Sequence, residues 1–307
     1  MGFFLVLKAE TVRAFITMRR YWFATLTAML VGYTMFGALI FGFVSGAVDM
    51  SRWASYATDK TFGFVIGMFA FSIVGMFSNG LAGMARSGEL EQVYMSPHGL
   101  ITNFLARSFV STITSIIVWT IMLMLVAAAF NQSAKRAQLA QNEQLVHAQS
   151  VEAGPEVGGA PQAAPAASSL DRAELHYDPL PITLLLFLTY FNMVGFGFMV
   201  GGLVLVFKQI GQFAVLVRFA MMAIAFTASE KIYELPAVLQ WIAHGIPITD
   251  AAICLKLVVL HGYGSDIVGH TSFYFLIANV LIWTPIGLSC FKFMENWARD
   301  KGTLGAF

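Results

Sequence analysis

Phe62-Gly-Phe-Val-Ile-Gly-Met-Phe-Ala-Phe-Ser-Ile-Val-Gly-Met-Phe-Ser-Asn-Gly-Leu-Ala-Gly-Met84 runs for 23 residues without a charged side chain. As a helix rising 1.5 Å per residue it spans about 34 Å, enough to cross the roughly 30 Å hydrocarbon layer of a bilayer. The whole chain has the same character. Hydrophobic residues make up 58% of it, charged residues only 11%, and the mean hydropathy is +0.72. A soluble domain carries about 25% charged residues, so this much apolar surface belongs in lipid. The fold class is therefore all-α and integral to a membrane.

Further runs of the same kind lie on either side. Upstream, residues 22–44 form a first expected span, separated from the 62–84 span by a polar stretch around Asp49, Arg52, Asp59 and Lys60. Before it, residues 1–21 place Phe4, Leu5, Ala9, Val12 and Ile16 at helical spacing among Glu10, Arg13 and Thr17, the pattern of a helix lying along the membrane surface. Downstream, a short connector at 85–103 leads to a third span over 104–130. Residues 131–179, rich in Ala, Gln, Glu, Gly and Pro, cannot bury enough apolar area to offset the entropy of ordering. They read as a flexible loop with a helical stub near Lys135–His147.

Spans at 182–206 and 213–228 follow, joined by a turn so short that they must be antiparallel neighbours. Residues 229–270 are apolar but broken by Pro236, Pro247, Gly262 and Gly264. They read as two short helices that enter the membrane edge without crossing, a re-entrant hairpin that is tolerable only where protein or water satisfies the broken backbone. A last span at 272–294 and a polar tail complete a layout of six transmembrane helices. With both termini cytoplasmic, the inner side collects Lys8, Arg13, Arg19, Arg20, Arg86, Arg107, Lys208, Arg218, Lys292, Arg299 and Lys301, and the outer side fewer basic residues, as the positive-inside rule requires.

Several function classes drop out. A net charge of +1 with no basic patch excludes a nucleic-acid partner. Cys254 and Cys290 sit in separate apolar segments and read as packing residues. The six histidines are scattered without metal-ligand spacing, so no metal is expected. No phosphate-binding loop, zinc helix or nucleophile elbow occurs. The residues point to no enzyme and to no cofactor in this chain. Val6 stands where a myristoylation signal needs Ser or Thr, and the basic residues follow the first apolar cluster, so the chain is expected to start without a cleaved signal. Gly63 and Gly67, and Gly197 and Gly201 beside Gly195 and Gly202, are spaced for close helix contact, within one subunit or between two. Arg218, near the inner end of its span, is expected to snorkel to the surface.

Three strings carry a family resemblance. Gly88-Glu89-Leu90-Glu91 followed by Ser96-Pro97 resembles the Gly-Thr-Leu-Glu and Ser-Pro pattern after the second span of ABC-2 type permeases, with Glu89 where Thr is usual. Leu235-Pro236 to Trp241, then Pro247-Ile248-Thr249, resembles the outer re-entrant segment of that family. Asn296 to Leu304 resembles its basic cytoplasmic end. The strings occur in the family's order over most of residues 1–130 and 180–304, whereas the 131–179 loop is longer than the family usually has.

The resemblance implies the membrane subunit of a type V ATP-binding-cassette exporter. A separate nucleotide-binding subunit would bind ATP and magnesium and contact the N-terminal helix and the connector, where Arg86, Gly88, Glu89, Glu91, Tyr94, Ser96 and Pro97 are the coupling candidates and Glu91 the foremost. Two permease chains, identical or homologous, would pair around a path formed by the first, second and fifth spans. Pro236, Trp241, Pro247 and Thr249 are the candidates for an outer gate. The substrates implied are hydrophobic or amphipathic, drug- or lipid-like, moved out across the cell membrane. Export of ions or polymers, a secondary transporter and a passive scaffold are the alternatives, though the spans carry almost no acidic residue for ion coupling.

Overall fold

Charge-free runs of this length become single long helices, because in lipid each backbone N–H and C=O must be satisfied within the segment. The computed structural model describes residues 2–24, 53–118, 176–207 and 211–301, with isolated helical positions between 26 and 38 and between 120 and 132. The expected span at 22–44, the loop at 131–179 with its stub, the middle of the 207–212 turn and the end of the tail lie wholly or mostly outside the described residues.

Among the described residues the structure is helical, without strands. We label α1 Gly2–Arg20, α2 Trp53–Ser87, α3 Glu89–Met95, α4 Gly99–Val118, α5 Pro179–Val206, α6 Gly211–Thr227, α7 Ala237–Gly245, α8 Thr249–His261 and α9 Thr271–Asp300. Short 3-10 turns at Glu230–Glu234 and Gly264–Gly269 flank the α7–α8 pair. Among the described residues four helices, α2, α4, α5 and α9, are long and apolar enough to cross a membrane. The bent pair α7–α8, whose halves meet at 87°, makes up to five, and α6 is apolar but only 17 residues long.

Helix α5 is the central post. It is apolar on all sides and buried along most of Tyr190–Leu205, with α2 on one flank and α9 on the other. Phe77 of α2 joins it to Phe104 of α4 and Phe198 of α5, and Phe198 in turn meets Phe291 of α9. The glycine spacing is used within the chain. Gly197 and Gly201 receive Phe77 and Leu81, while Gly63 and Gly67 let the backbone of α6 approach at Ala225 and Met222. The closest approach is between α5 and α9, where a side chain at Gly287 would collide with the carbonyl oxygen of Gly195.

One sequence expectation is corrected. Asp59 and Lys60 do not separate spans but lie inside α2, which begins at Trp53. The helix can carry them because Asp59 is neutralised by Lys256 of α8 at 3.1 Å and by Lys60 at 3.4 Å. Arg218 stands seven residues into α6, half-exposed, with its guanidinium on Phe71 of α2.

The α5–α9 contact yields a direct test. Gly287→Ala should destabilise the purified chain by about 1–3 kcal/mol, read as thermal unfolding in detergent, because neither backbone can withdraw. Gly83→Ala, with open space around it, should be neutral or slightly stabilising.

Candidate functional site

The connector after α2 is built as a small platform. Gly88 turns the chain with φ 72°, a left-handed conformation that suits glycine, and α3 starts at the next residue. Leu90 is buried beneath α3 and anchors it, and a second left-handed glycine, Gly99, opens α4. Asn103 donates to the carbonyl of Gly99 at 2.8 Å and to the hydroxyl of Ser96 at 3.3 Å, which fixes the exit.

Two distant parts of the chain clamp this platform. On one side Arg13 of α1 donates to the Glu89 carboxylate at 2.7 Å, with Glu10 3.7 Å away. On the other, the Arg299 guanidinium lies 4.7 Å from the centre of the Tyr94 ring and donates to Glu295 at 2.7 Å. The Arg13 hydrogen bond holds the Glu89 carboxyl below its ordinary range, and the same bond raises Arg13 above its own. Burial, reinforced by the charge on Glu295, pushes the Tyr94 phenol up to about 12, against the opposing pull of Arg299, so it stays protonated. Arg86, Gly88, Glu91, Met95 and Pro97 remain exposed, and Met95 is 90% exposed. The seven connector residues thus divide. Glu89, Tyr94 and Ser96 hold the platform, while Arg86, Gly88, Glu91 and Pro97 face outward.

The second candidate region divides as well. Pro236 and Trp241 are exposed, but Pro247 and Thr249 are buried at the elbow between α7 and α8. Breaking the helix there frees carbonyl groups, and side chains from the neighbouring long helices take them up. Asn279 donates to the carbonyl of His244 at 2.7 Å, Trp283 to that of Gly245 at 3.1 Å, and Asn192 to that of Pro247 at 2.7 Å. His244 and Asp250, both fully or nearly buried, bond to one another at 2.8 Å across the elbow, and Phe275 stacks on the imidazole at 4.0 Å. Farther along α8, Lys256 donates to the Ala228 carbonyl and pairs with Asp59, tying the elbow region to α2 and α6. The tip of this bend packs against the middle of α5. Asn192 lies 13 residues into α5, about 20 Å from its start at Pro179.

The candidate site residues read from the sequence include none of His244, Asn192, Asn279, Asp250 and Lys256. The signal was present: a lone amide in an apolar span needs a partner, and a Pro-broken segment needs donors. Among the described residues, no group of three His, Cys, Asp or Glu side chains is arranged to hold a metal.

Two tests follow from this geometry. Because the Glu89 carboxyl is held low, the α1–α3 tie is complete at neutral pH. It should persist as pH falls through the ordinary carboxylate range and loosen only below it, where Glu89 takes up a proton. Hydrogen exchange of α1 amides should show this and should rise already at neutral pH in Glu89→Gln. At the elbow, Asn192→Leu should cost about 1–3 kcal/mol of thermal stability in detergent by orphaning the Pro247 carbonyl, while Asn79→Leu, at an exposed position, should cost little.

A family model described as ABC-2 family transporter protein matches residues 50–288. No curated protein matches the chain.

Proposed function

On the premise that the chain belongs to the ABC-2 transporter family, whose model covers well over half of it, we propose that it is the permease of an ATP-driven exporter for hydrophobic or amphipathic, drug- or lipid-like compounds. The chain is a transmembrane transport component. A separate nucleotide-binding subunit would bind and hydrolyse ATP, and two permease chains would pair to enclose the path.

The observation that carries this reading is the clamped platform. Helix α3 is too short to hold its own shape in water, yet it is fixed by Arg13 on one side and Arg299 on the other, with Arg86, Glu91, Met95 and Pro97 turned outward. A rigid peg with an exposed acidic and apolar face suits a soluble partner that must push on the membrane domain. In this reading α1, α3 and the end of α9 face the cytoplasm. Glu91 is the principal coupling contact, since its carboxylate is exposed while that of Glu89 is engaged by Arg13.

The α7–α8 bend then lies on the outer side as a re-entrant element, with Pro236 and Trp241 at its exposed face and Pro247 and Thr249 in its buried hinge. ATP-driven closure of the partner would reach that element through α2, which touches both the platform and Lys256. Contacts that differ between the two states are what let the nucleotide bias them.

Co-expression with ATP-binding-cassette ATPases from the same genome tests the proposal. One ATPase should co-purify with the chain in detergent, and Glu91→Arg should release it or cut its membrane-domain-dependent ATP hydrolysis about tenfold or more, as loss of a charged contact worth about 1.5–3 kcal/mol would do. A chain that retains no ATPase under any condition would overturn the exporter reading in favour of a transporter or scaffold acting alone.

A further inference from the structure

Helix α1 is exposed around most of its circumference. Beyond buried Val6, only Leu7, Glu10 and Ala14 are half-buried, and their spacing of three and four puts them on one face. That face looks toward α4 without closing on it. Leu7, Phe15 and Met18 of α1 and Phe109 and Ile113 of α4 line an apolar cavity of about 380 Å³. A second cavity of about 330 Å³ is lined by Glu10, Arg13 and Thr17 of α1 and by Arg107, Ser111 and Ser115 of α4. Ala14, Met18, Val110 and Thr114 border both, so the two form one groove, apolar in one part and ionic in the other.

Each part falls within the range of about 300–1,000 Å³ that small-molecule sites occupy. The ionic part holds two guanidiniums. Arg13 is engaged by Glu89 at 2.7 Å, with Glu10 at 3.7 Å. Arg107 donates through Nη1 to the sulfur of Met84 at 3.1 Å, and a thioether is a weak acceptor for a group with five N–H donors. A groove with an apolar wall and a guanidinium at one end complements an amphiphile whose head carries a phosphate, which accepts paired N–H donors. The glycerophospholipids around a chain with membrane-length apolar helices are such amphiphiles. Across α1 as a whole, Lys8, Arg13, Arg19 and Arg20 stand against Glu10 alone, which adds attraction for an anionic head group.

We infer that the α1–α4 groove is a binding site for an anionic glycerophospholipid of the bilayer, with an acyl chain against Leu7, Phe15, Phe109 and Ile113 and the phosphate at Arg107. The bound lipid fills the space that α1 and α4 leave between them and so fastens one to the other. Helix α1 carries Arg13, the residue that holds Glu89 on the α3 platform. Occupancy of the groove therefore sets how firmly the platform is held on that side. The inference stands apart from the exporter reading, since it needs neither an ATPase nor a transported substrate.

The purified full chain, stripped of lipid in neutral detergent, is photolabelled with phosphatidylglycerol that carries a diazirine on one acyl chain, and the labelled peptides are mapped by mass spectrometry. Label should concentrate on α1 between Leu7 and Met18 and on α4 between Phe109 and Thr114. Unlabelled phosphatidylglycerol should compete there at concentrations about tenfold lower than the diacylglycerol with the same chains, which lacks the phosphate. Arg107→Gln should bring the two competitors level, and Arg107→Lys should keep part of the difference. Phosphatidylglycerol should also slow hydrogen exchange of the α1 amides relative to the stripped chain.

Ala14→Trp places an indole in the stretch that both cavities share and should abolish labelling of the groove. Labelling of exposed Leu281 and Ile286 on α9, where the two competitors should act alike, should persist. Ile113→Trp fills the apolar part from the α4 side and carries the test if Ala14→Trp does not fold. Equal competition by diacylglycerol in the groove, unchanged groove labelling in a folded tryptophan variant, or label spread evenly over the groove and α9 would each overturn the inference. Failure to find an ATPase partner would instead sink the exporter reading and leave the labelling result intact.

Discussion

Everything around the α7–α8 elbow depends on one constraint: a helix broken where its carbonyls are buried must find donors for them. The α7–α8 elbow meets it with Asn279, Trp283 and Asn192, which cap the carbonyls of His244, Gly245 and Pro247. These donors come from the two long helices that pack most closely, so the elbow stands only if α5 and α9 stand together. Their closeness depends in turn on Gly195 and Gly287, where any side chain would force the backbones apart. Glycine packing, amide capping and the buried His244–Asp250 bond thus form one dependent series.

The platform at the other end obeys a different economy. It lies among water-exposed charges, where a single ion pair contributes little, and it gains rigidity by being held on two sides. Glu89 shows how. The resemblance to ABC-2 permeases would put Thr at that position, and the carboxylate found there instead reaches Arg13 of α1. The departure from the family pattern is matched by a basic residue on a helix that lies 76 positions earlier in the chain.

Membrane class and long helices were legible from sequence because each rests on a local signal: composition and run length. Family membership was legible from three short strings in order. The start of α2 was misread because Asp59 and Lys60 look like a break unless the partner Lys256, nearly two hundred residues away, is known. The elbow was read as broken, but its capping residues were not identified, since a lone Asn in an apolar run does not say which carbonyl it will meet.

Helix α2 carries both regions on one unbroken rod. The platform hangs from its Ser87 end, and Asp59, 28 residues away, grips α8. That separation is about 42 Å of helix. A stiff lever of this length magnifies small angles, so a tilt of about 5° about the Ser87 end carries Asp59 sideways by about 4 Å, more than the length of its ion pair with Lys256. Leverage alone therefore lets a small tilt at the Ser87 end make or break the Asp59–Lys256 contact at the far end of the rod.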